Sequence, residues 1–368
     1  MHYKHILLIG LIFFVISQPL YAISTTQIDT VRNKEAIADA DGTIIEEFLS
    51  EAFAEFTGKT QFTDIAALRN VIVSKSTSAT TSGQILYGPK YLAVLQKELT
   101  NAFATARTIK EDKRRNVLLM NLLVLTYDIA NIDISKAALD YLQDANVLVR
   151  YWAVNNFTNT NLLKALNEGD AATRKNIASQ LLNGAKAEQS PDIQIIYAQF
   201  AAGIKDEAGI EILTTIAQKR IDLYMSWSAA DDDMTDDWIL KALSDKAKNE
   251  PESIKTMAKY FSMLLSAIVQ KYILAEQSLS ENSKIVLISL IAQGDKYLQV
   301  FVPDWTGNLK RALDKGGATA LLTESEALFG SAGTAGKMAA TIGFDYGKNA
   351  DGSAKMFPPA PPKPNAAK

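Results

Sequence analysis

The sequence predicts an all-α protein built from antiparallel helix pairs, and three observations support this. Apolar residues recur at three- and four-residue steps, as in the segment after Pro251, where Ile254, Met257 and Phe261 share one helical face. Helix start and stop signals recur along the whole chain. Runs of alternating β-branched residues between hairpin turns are not found. Because roughly two to eight residues join the expected helices, neighbours must pack antiparallel.

Residues 1–22 have the three-part pattern of a secretory signal peptide. Lys4 lies in a short basic start, 6–16 is an apolar run, and Pro19 ends that run before Ala22 at the expected cleavage point. The apolar run is shorter than the ~20 residues that span a bilayer. We therefore expect an exported protein, periplasmic or extracellular, with no integral membrane insertion after signal cleavage.

Composition divides the rest of the chain into five expected segments. They are an N-terminal helical segment (23–73), a polar linker (74–84), a helical-repeat domain (85–302), an irregular Gly/Ala-rich helical cap (303–342) and a disordered Pro-rich tail (343–368). The linker is rich in Ser and Thr and offers no apolar face. The tail carries too little apolar surface to offset its own ordering entropy.

Within the repeat domain, local signals place individual helices. Gly88-Pro89 predicts a helix start, with proline in the first turn. Ser190-Pro191 predicts a helix that ends at Gly203, and further helices are expected at 207–225 and 235–248. Ser280 is expected to cap the next helix, which Gly294 would close.

A repeat signal lies at 135–185, where a turn residue, a Val-Arg pair and a small residue follow one another. These positions are Asp144, Val149, Arg150 and Ala153, and Glu168 and Arg174 echo two of them 24 residues later. This stretch resembles the second-helix entry of a HEAT/armadillo-type repeat. The resemblance implies that Asp144 caps a helix and that Arg150 extends to the neighbouring repeat.

With this resemblance, the expected architecture is a short right-handed α-solenoid of stacked helix pairs. The signature covers about one seventh of the chain, and its 24-residue spacing is shorter than the usual repeat of that family. An irregular helical bundle and a closed α/α toroid therefore remain as alternatives.

The densest charge cluster is an acidic run between two tryptophans, and it forms a candidate ligand or cation site. The residues are Trp227, Asp231, Asp232, Asp233, Asp236, Asp237 and Trp238. Hard cations prefer oxygen ligands, but the run lacks the glycine and the final Glu of an EF-hand loop. Acids at a helix start also stabilise the positive end of that helix, so the run is equally expected to be a solvated helix start.

Composition excludes several kinds of chemistry. The chain has 0 Cys, and its 2 histidines lie inside the expected signal peptide. Zinc sites with His or Cys ligands and Ser-His-Asp triads are therefore not expected in the exported form. A net charge of −3 gives no general attraction for nucleic acid. We expect neither a catalytic constellation nor a metal or cofactor.

Two functions remain open. Helical solenoids present extended surfaces that hold partners, so the first expectation is a scaffold or binding module of the bacterial envelope with a protein partner. The alternative is a polysaccharide-active lyase or glycosidase on an α/α toroid, which would use a carboxylate pair or a tyrosine in a cleft.

Overall fold

The computed structural model describes residues 23–78, 81–230 and 234–362. In these ranges the chain is helical apart from loops and two strands of two residues each, which confirms the all-α class. Contacts divide the chain after Ile134 into two compact units. The signal peptide expected at 1–22 lies outside the described residues. No helix in the described ranges is long and apolar enough to cross a membrane.

The first unit packs its helices in alternation. Its helices are α1 (Thr26–Arg32), α2 (Asp39–Gly58), α3 (Phe62–Ser74), α4 (Thr81–Thr108) and α5 (Asp112–Ile129), and α6 (Ile132–Ser135) follows at the boundary. Helix α2 packs on α4, and α3 packs on α5, while the consecutive pairs α1–α2, α2–α3 and α4–α5 also touch. Helices α2 to α5 therefore alternate in their packing, as in stacked helix pairs.

Helix α4 begins earlier than the sequence predicts. The polar linker was expected to reach 84 and Pro89 to open the helix, but α4 starts at Thr81 and contains Pro89 in its interior. Tyr87 and Tyr91 explain the difference. Both rings are fully buried. The Tyr87 hydroxyl donates to the Lys75 carbonyl, and the Tyr91 hydroxyl donates to a carbonyl of α3. These contacts hold the turns around Pro89 against the unit in helical form.

The second unit continues the alternation over a longer stretch. Its helices are α7 (Val147–Asn155), α8 (Thr160–Glu168), α9 (Ala171–Ala187), α10 (Pro191–Gly203), α11 (Glu207–Met225), α12 (Thr235–Asn249), α13 (Ile254–Ala275), α14 (Glu281–Tyr297), α15 (Asn308–Phe329) and α16 (Lys337–Ile342). Helices α7, α10, α12 and α14 pack side by side in one row. Helices α9, α11, α13 and α15 form a second row, and each row covers the apolar face of the other.

Helix α13 lies at the centre of the second unit. It contacts α11 and α15 in its own row and α12 and α14 in the other. The face predicted from the periodicity after Pro251 is buried, including Met257 and Phe261, and Phe261 packs on Phe301 at 5.0 Å between ring centroids. The 3.6-residue period of this segment therefore identifies the core of the unit.

The region expected as an irregular cap is more regular than its glycines indicate. Helix α15 continues across a kink at Gly317, where φ is 59°. Buried Asp295 accepts hydrogen bonds from the backbone N–H groups of Leu309 and Lys310 and so caps the start of α15 from α14. A two-stranded hairpin, β1 (Gly330–Ser331) and β2 (Thr334–Ala335), then leads to α16.

The segment expected to be a disordered tail from 343 onward has a defined course up to residue 362. Tyr346 is buried, its backbone N–H donates to the Lys355 carbonyl, and Lys348 pairs with Ala354 across a turn. Aromatic and proline side chains supply apolar surface that the overall polar composition of the segment conceals. Residues 363–368 lie outside the described residues.

Candidate functional site

The turn before α7 carries the residues of the predicted repeat. Asn146 caps α7, because its side-chain oxygen accepts from the N–H groups of Leu148 and Val149. The prediction that Asp144 caps this helix is therefore wrong. Asp144 instead accepts from the Asn146 N–H at 2.8 Å and fixes the turn that presents the cap. Val149 is fully buried and packs α7 against its neighbours.

Arg150 reaches the residue that follows α9. Its Nε and one terminal nitrogen donate to the two carboxylate oxygens of Glu188, at 2.8 and 3.1 Å. Its other terminal nitrogen donates to the carbonyls of Asp144 and Ala145. One guanidinium thus joins the turn before α7 to the residue after α9, and Ala153 is buried one turn further along α7.

Arg150 and Glu188 form an ion pair that is largely enclosed by the surrounding helices. Burial would raise the pKa of Glu188, but hydrogen bonds from Arg150 and from the Ser190 and Gln189 backbones outweigh it and lower that pKa. The pKa of Arg150 is raised by the same hydrogen bond. Both groups therefore stay ionised and bound to each other. A cavity of about 320 Å³ opens beside them.

The two arginines that repeat after 24 residues also occupy equivalent positions in the structure. Arg174 is the fourth residue of α9, as Arg150 is of α7. Its terminal nitrogen donates to the carbonyls of Leu166 and Asn167 in the preceding segment. Glu168 is exposed at the end of α8, and the α9 cap is instead Asp170, whose carboxylate accepts from the Thr173 N–H. Only the arginines of the predicted set have the same role in both places.

A second set of inter-helix contacts was not predicted from the sequence. Lys219 of α11 donates to the carbonyls of Ala185, Lys186 and Glu188 at the end of α9. Lys246 of α12 is fully buried and donates to the Ile204 carbonyl at the end of α10. Burial lowers the pKa of both lysines. Each ammonium faces the negative end of a helix, which compensates for part of the lost hydration. Lys246 also pairs with Glu250 four residues later, but no spacing in the sequence reveals the helix-end contacts, because each carbonyl partner lies more than 30 residues away.

The acidic run does not form one cluster of free carboxylates. Asp236 is fully buried and takes hydrogen bonds from Arg220 at 2.6 and 3.1 Å and from the Tyr224 hydroxyl at 2.6 Å. Asp237 accepts from the Tyr297 hydroxyl at 3.0 Å. These two acids therefore join α12 to α11 and α14, and they are not positioned as cation ligands. The remaining acids, Asp231, Asp232 and Asp233, lie outside the described residues.

The two tryptophans beside the run differ in their surroundings. Trp238 is 46% exposed on α12. Trp227 is partly buried, has a left-handed backbone with φ at 59°, and donates from its indole N–H to the Pro362 carbonyl. Among the described residues, no group of three or more acids and histidines could hold a metal ion.

The outer face of the second row is a candidate interface. A groove of about 380 Å³ runs along α11 beside α13, and its lining residues are Thr214, Thr215, Gln218, Lys219, Asp222 and Tyr260. Helix α9, which packs on α11, exposes Asn176, Gln180 and Asn183 on successive turns. Amide and hydroxyl groups thus predominate on a surface formed by three neighbouring helices. We call the residues of these two lists the amide face.

Comparison of this chain with family models, with curated proteins and with solved structures finds no match. The assignment of function therefore rests on the geometry described above.

Proposed function

We propose that this chain is an exported helical-repeat protein of the HEAT type that binds an extended segment of a protein partner on its amide face. The two-row packing of α7 to α15 is the observation that supports this most directly. In such stacks each helix pair adds one strip to a continuous surface, which suits long and narrow partners.

The chemistry of the amide face suits a polypeptide backbone. Asn and Gln side chains carry both donors and acceptors, so they can pair with successive peptide groups. Gln218 lies in the groove and already pairs with Asp222 at 2.8 Å, an exposed contact that a ligand can replace. Tyr260 adds an aromatic surface on the opposite wall, where an apolar side chain of the partner can pack.

Capture from the native envelope tests this proposal. Wild type is compared with a Gln218→Ala/Tyr260→Ala variant, and Trp238→Ala serves as the control because it removes an exposed aromatic from the other row. We expect a partner to be captured by wild type and by Trp238→Ala and to be lost with the double variant. Equal melting temperatures for the three proteins would exclude unfolding as the cause.

Three outcomes would contradict the proposal. Loss of capture with Trp238→Ala alone would place the interface on the α12 row. Retention by the double variant would show that the amide face is not used. Turnover of a glycan library without any captured protein would favour the polysaccharide-active alternative.

Export is tested separately, by measuring the intact mass of the protein from the envelope. A mass that retains Met1 would contradict signal cleavage.

A further inference from the structure

The C-terminal segment returns to the body of the second unit. After the turn at Lys348 and Ala354, the Met356 carbonyl lies against Gly330 so closely that a side chain there would come within 2.3 Å of it. The chain then runs on to Pro362, whose carbonyl accepts a 2.8 Å hydrogen bond from the Trp227 indole. Residues 135 positions apart in the sequence are thus in direct contact.

Burial along this segment repeats every third residue. Pro358 and Pro361 are buried, whereas Phe357, Pro359 and Ala360 are exposed. A polyproline II helix has three residues per turn, so its first and fourth positions share one face. The burial pattern is therefore that of a polyproline II segment laid with one face on a surface.

Trp227 occupies a position that normally favours glycine. It follows the end of α11, and its N–H donates to the Tyr224 carbonyl in a left-handed turn. The next two N–H groups both donate to the Leu223 carbonyl. The Ala229 carbonyl accepts from Lys271 of α13, so the loop is fixed at its far end as well. A large aromatic residue at a left-handed position is unfavourable locally, and it persists where the surrounding contacts hold it.

An indole N–H that donates to a proline carbonyl, beside prolines buried at every third position, is how aromatic-lined grooves bind proline-rich peptides. We propose that Trp227 and the surface under Pro358 and Pro361 form a polyproline-binding groove, and that the chain's own segment 358–362 occupies it. This inference does not rest on the proposed function, because its observations concern Trp227 and the C-terminal segment, and none of these residues belongs to the amide face.

Occupation by the chain itself has a measurable consequence. A tethered segment competes at an effective concentration near the millimolar range, so a free peptide of the same sequence binds poorly until the tether is released. In full-length protein with Pro358→Ala/Pro361→Ala, the segment loses both buried prolines and leaves the groove open.

The experiment measures fluorescence anisotropy of a labelled peptide of residues 354–362 added to full-length proteins. We expect the Pro358→Ala/Pro361→Ala protein to bind it at least tenfold more tightly than wild type. Adding Trp227→Phe to that protein keeps an aromatic ring but removes the indole N–H, and should weaken binding about fivefold. The control Trp238→Phe should leave binding unchanged.

Peptide variants give the matched control on the ligand side. A Pro361→Ala peptide should bind at least tenfold more weakly than the original, whereas a Pro359→Ala peptide, altered at an exposed position, should change by less than about threefold. Equal binding by wild type and the open variant would overturn occupation by the chain's own segment. Absence of binding to the open variant, or binding insensitive to Trp227→Phe, would overturn the groove itself.

Discussion

Single residues act on this structure through ion pairs that are hidden from solvent. Asp236 is the clearest case, because both carboxylate oxygens are occupied by Arg220 and Tyr224 and the group has no exposed surface. Such a pair contributes little net stability when intact, but removing one partner leaves a buried charge without compensation. The pair therefore specifies how α11 and α12 meet.

Replacing Asp236 with Ala should destabilise the protein by about 3–5 kcal/mol, because the Arg220 guanidinium would stay buried without the carboxylate that faces it. The measurement is urea unfolding followed by circular dichroism. Asp245→Ala is the matched control on the same helix, since its partner Lys241 is exposed and such pairs contribute ~0–0.5 kcal/mol. A loss of unfolding free energy below about 1 kcal/mol for Asp236→Ala would show that the Arg220 guanidinium is hydrated in the folded state of the variant.

Glu188 gives a prediction on pH. Its pKa is lowered on folding from an ordinary value of 4.5, so its contribution to stability is fully present above that value. The contribution is lost as the pH falls through the lower pKa of the folded state. Glu188→Gln carries no proton equilibrium at this site, so the stability difference from wild type should shrink as the pH falls below about 4.5.

The control for this pH series is Glu281→Gln, which changes a carboxylate that is 86% exposed on α14. Its stability difference from wild type should change less over the same pH range, because water and salt screen an exposed ion pair. A Glu188→Gln difference that does not change with pH would mean that the Arg150 contact does not lower the pKa of Glu188.

Close approach of helices at small residues decides the packing at the scale of single elements. Helix α9 meets α10 where Gly184 faces Tyr197, and a methyl group on Gly184 would lie 2.1 Å from the tyrosine hydroxyl. That hydroxyl is buried without a hydrogen-bond partner among the described residues. Glycine inside a helix is unfavourable by about 1 kcal/mol relative to alanine, so the close packing must outweigh this cost.

We expect Gly184→Ala to destabilise by ~1–3 kcal/mol through overpacking, although alanine is the better helix former. Tyr197→Phe should be nearly neutral, because the hydroxyl it removes has no partner to lose. The double variant should recover part of the loss, with a coupling of at least ~0.5 kcal/mol in thermal unfolding. Gly58→Ala, where nothing lies within 4 Å, is the control and should not destabilise. Additive effects at Gly184 and Tyr197 would contradict the contact.

At the scale of the whole molecule, stacked helix pairs imply graded stability. The main contacts of the row helices are with their neighbours in the two rows, so opening can begin at an end of the stack without disrupting its centre. The two units have separate internal contacts and are expected to follow this behaviour individually.

Native-state hydrogen exchange should therefore find the slowest amides in α13, which buries residues on nearly all sides. Exchange should be faster in α16 and in the β1–β2 hairpin, which are short and have few buried side chains. Mass spectrometry of exchanged peptides measures both. Uniform protection from α9 to α16 would show that the second unit opens in a single cooperative step.

The sequence by itself determined the helical class and the positions of many helices. The helix from Pro191 to Gly203 has the predicted bounds, and Glu207–Met225 does as well. Ser280 caps α14 through the Ser283 N–H as predicted. Caps, prolines in a first turn and apolar periodicity act within a few residues, so a local pattern is sufficient to identify them.

Only the tertiary structure decided which local signals were overridden. Gly294 was expected to end its helix, but α14 continues to Tyr297 because Leu265 packs where a side chain would be. Pro89 lies inside α4 because buried tyrosines hold the turns around it. In both cases a contact distant in sequence supplies more free energy than the local preference for ending the helix.

The candidate sites divide in the same way. Arg150 was identified from the resemblance of residues 135–185 to a repeat entry, and the turn that it binds lies six residues before it. Asp236 and Trp227 were noticed as an acid and an aromatic in one run, but their partners decide their roles, one in the core and the other at Pro362. The chemistry of a carboxylate or an indole is set by its desolvation and by the groups that face it, and these depend on how distant segments are brought together.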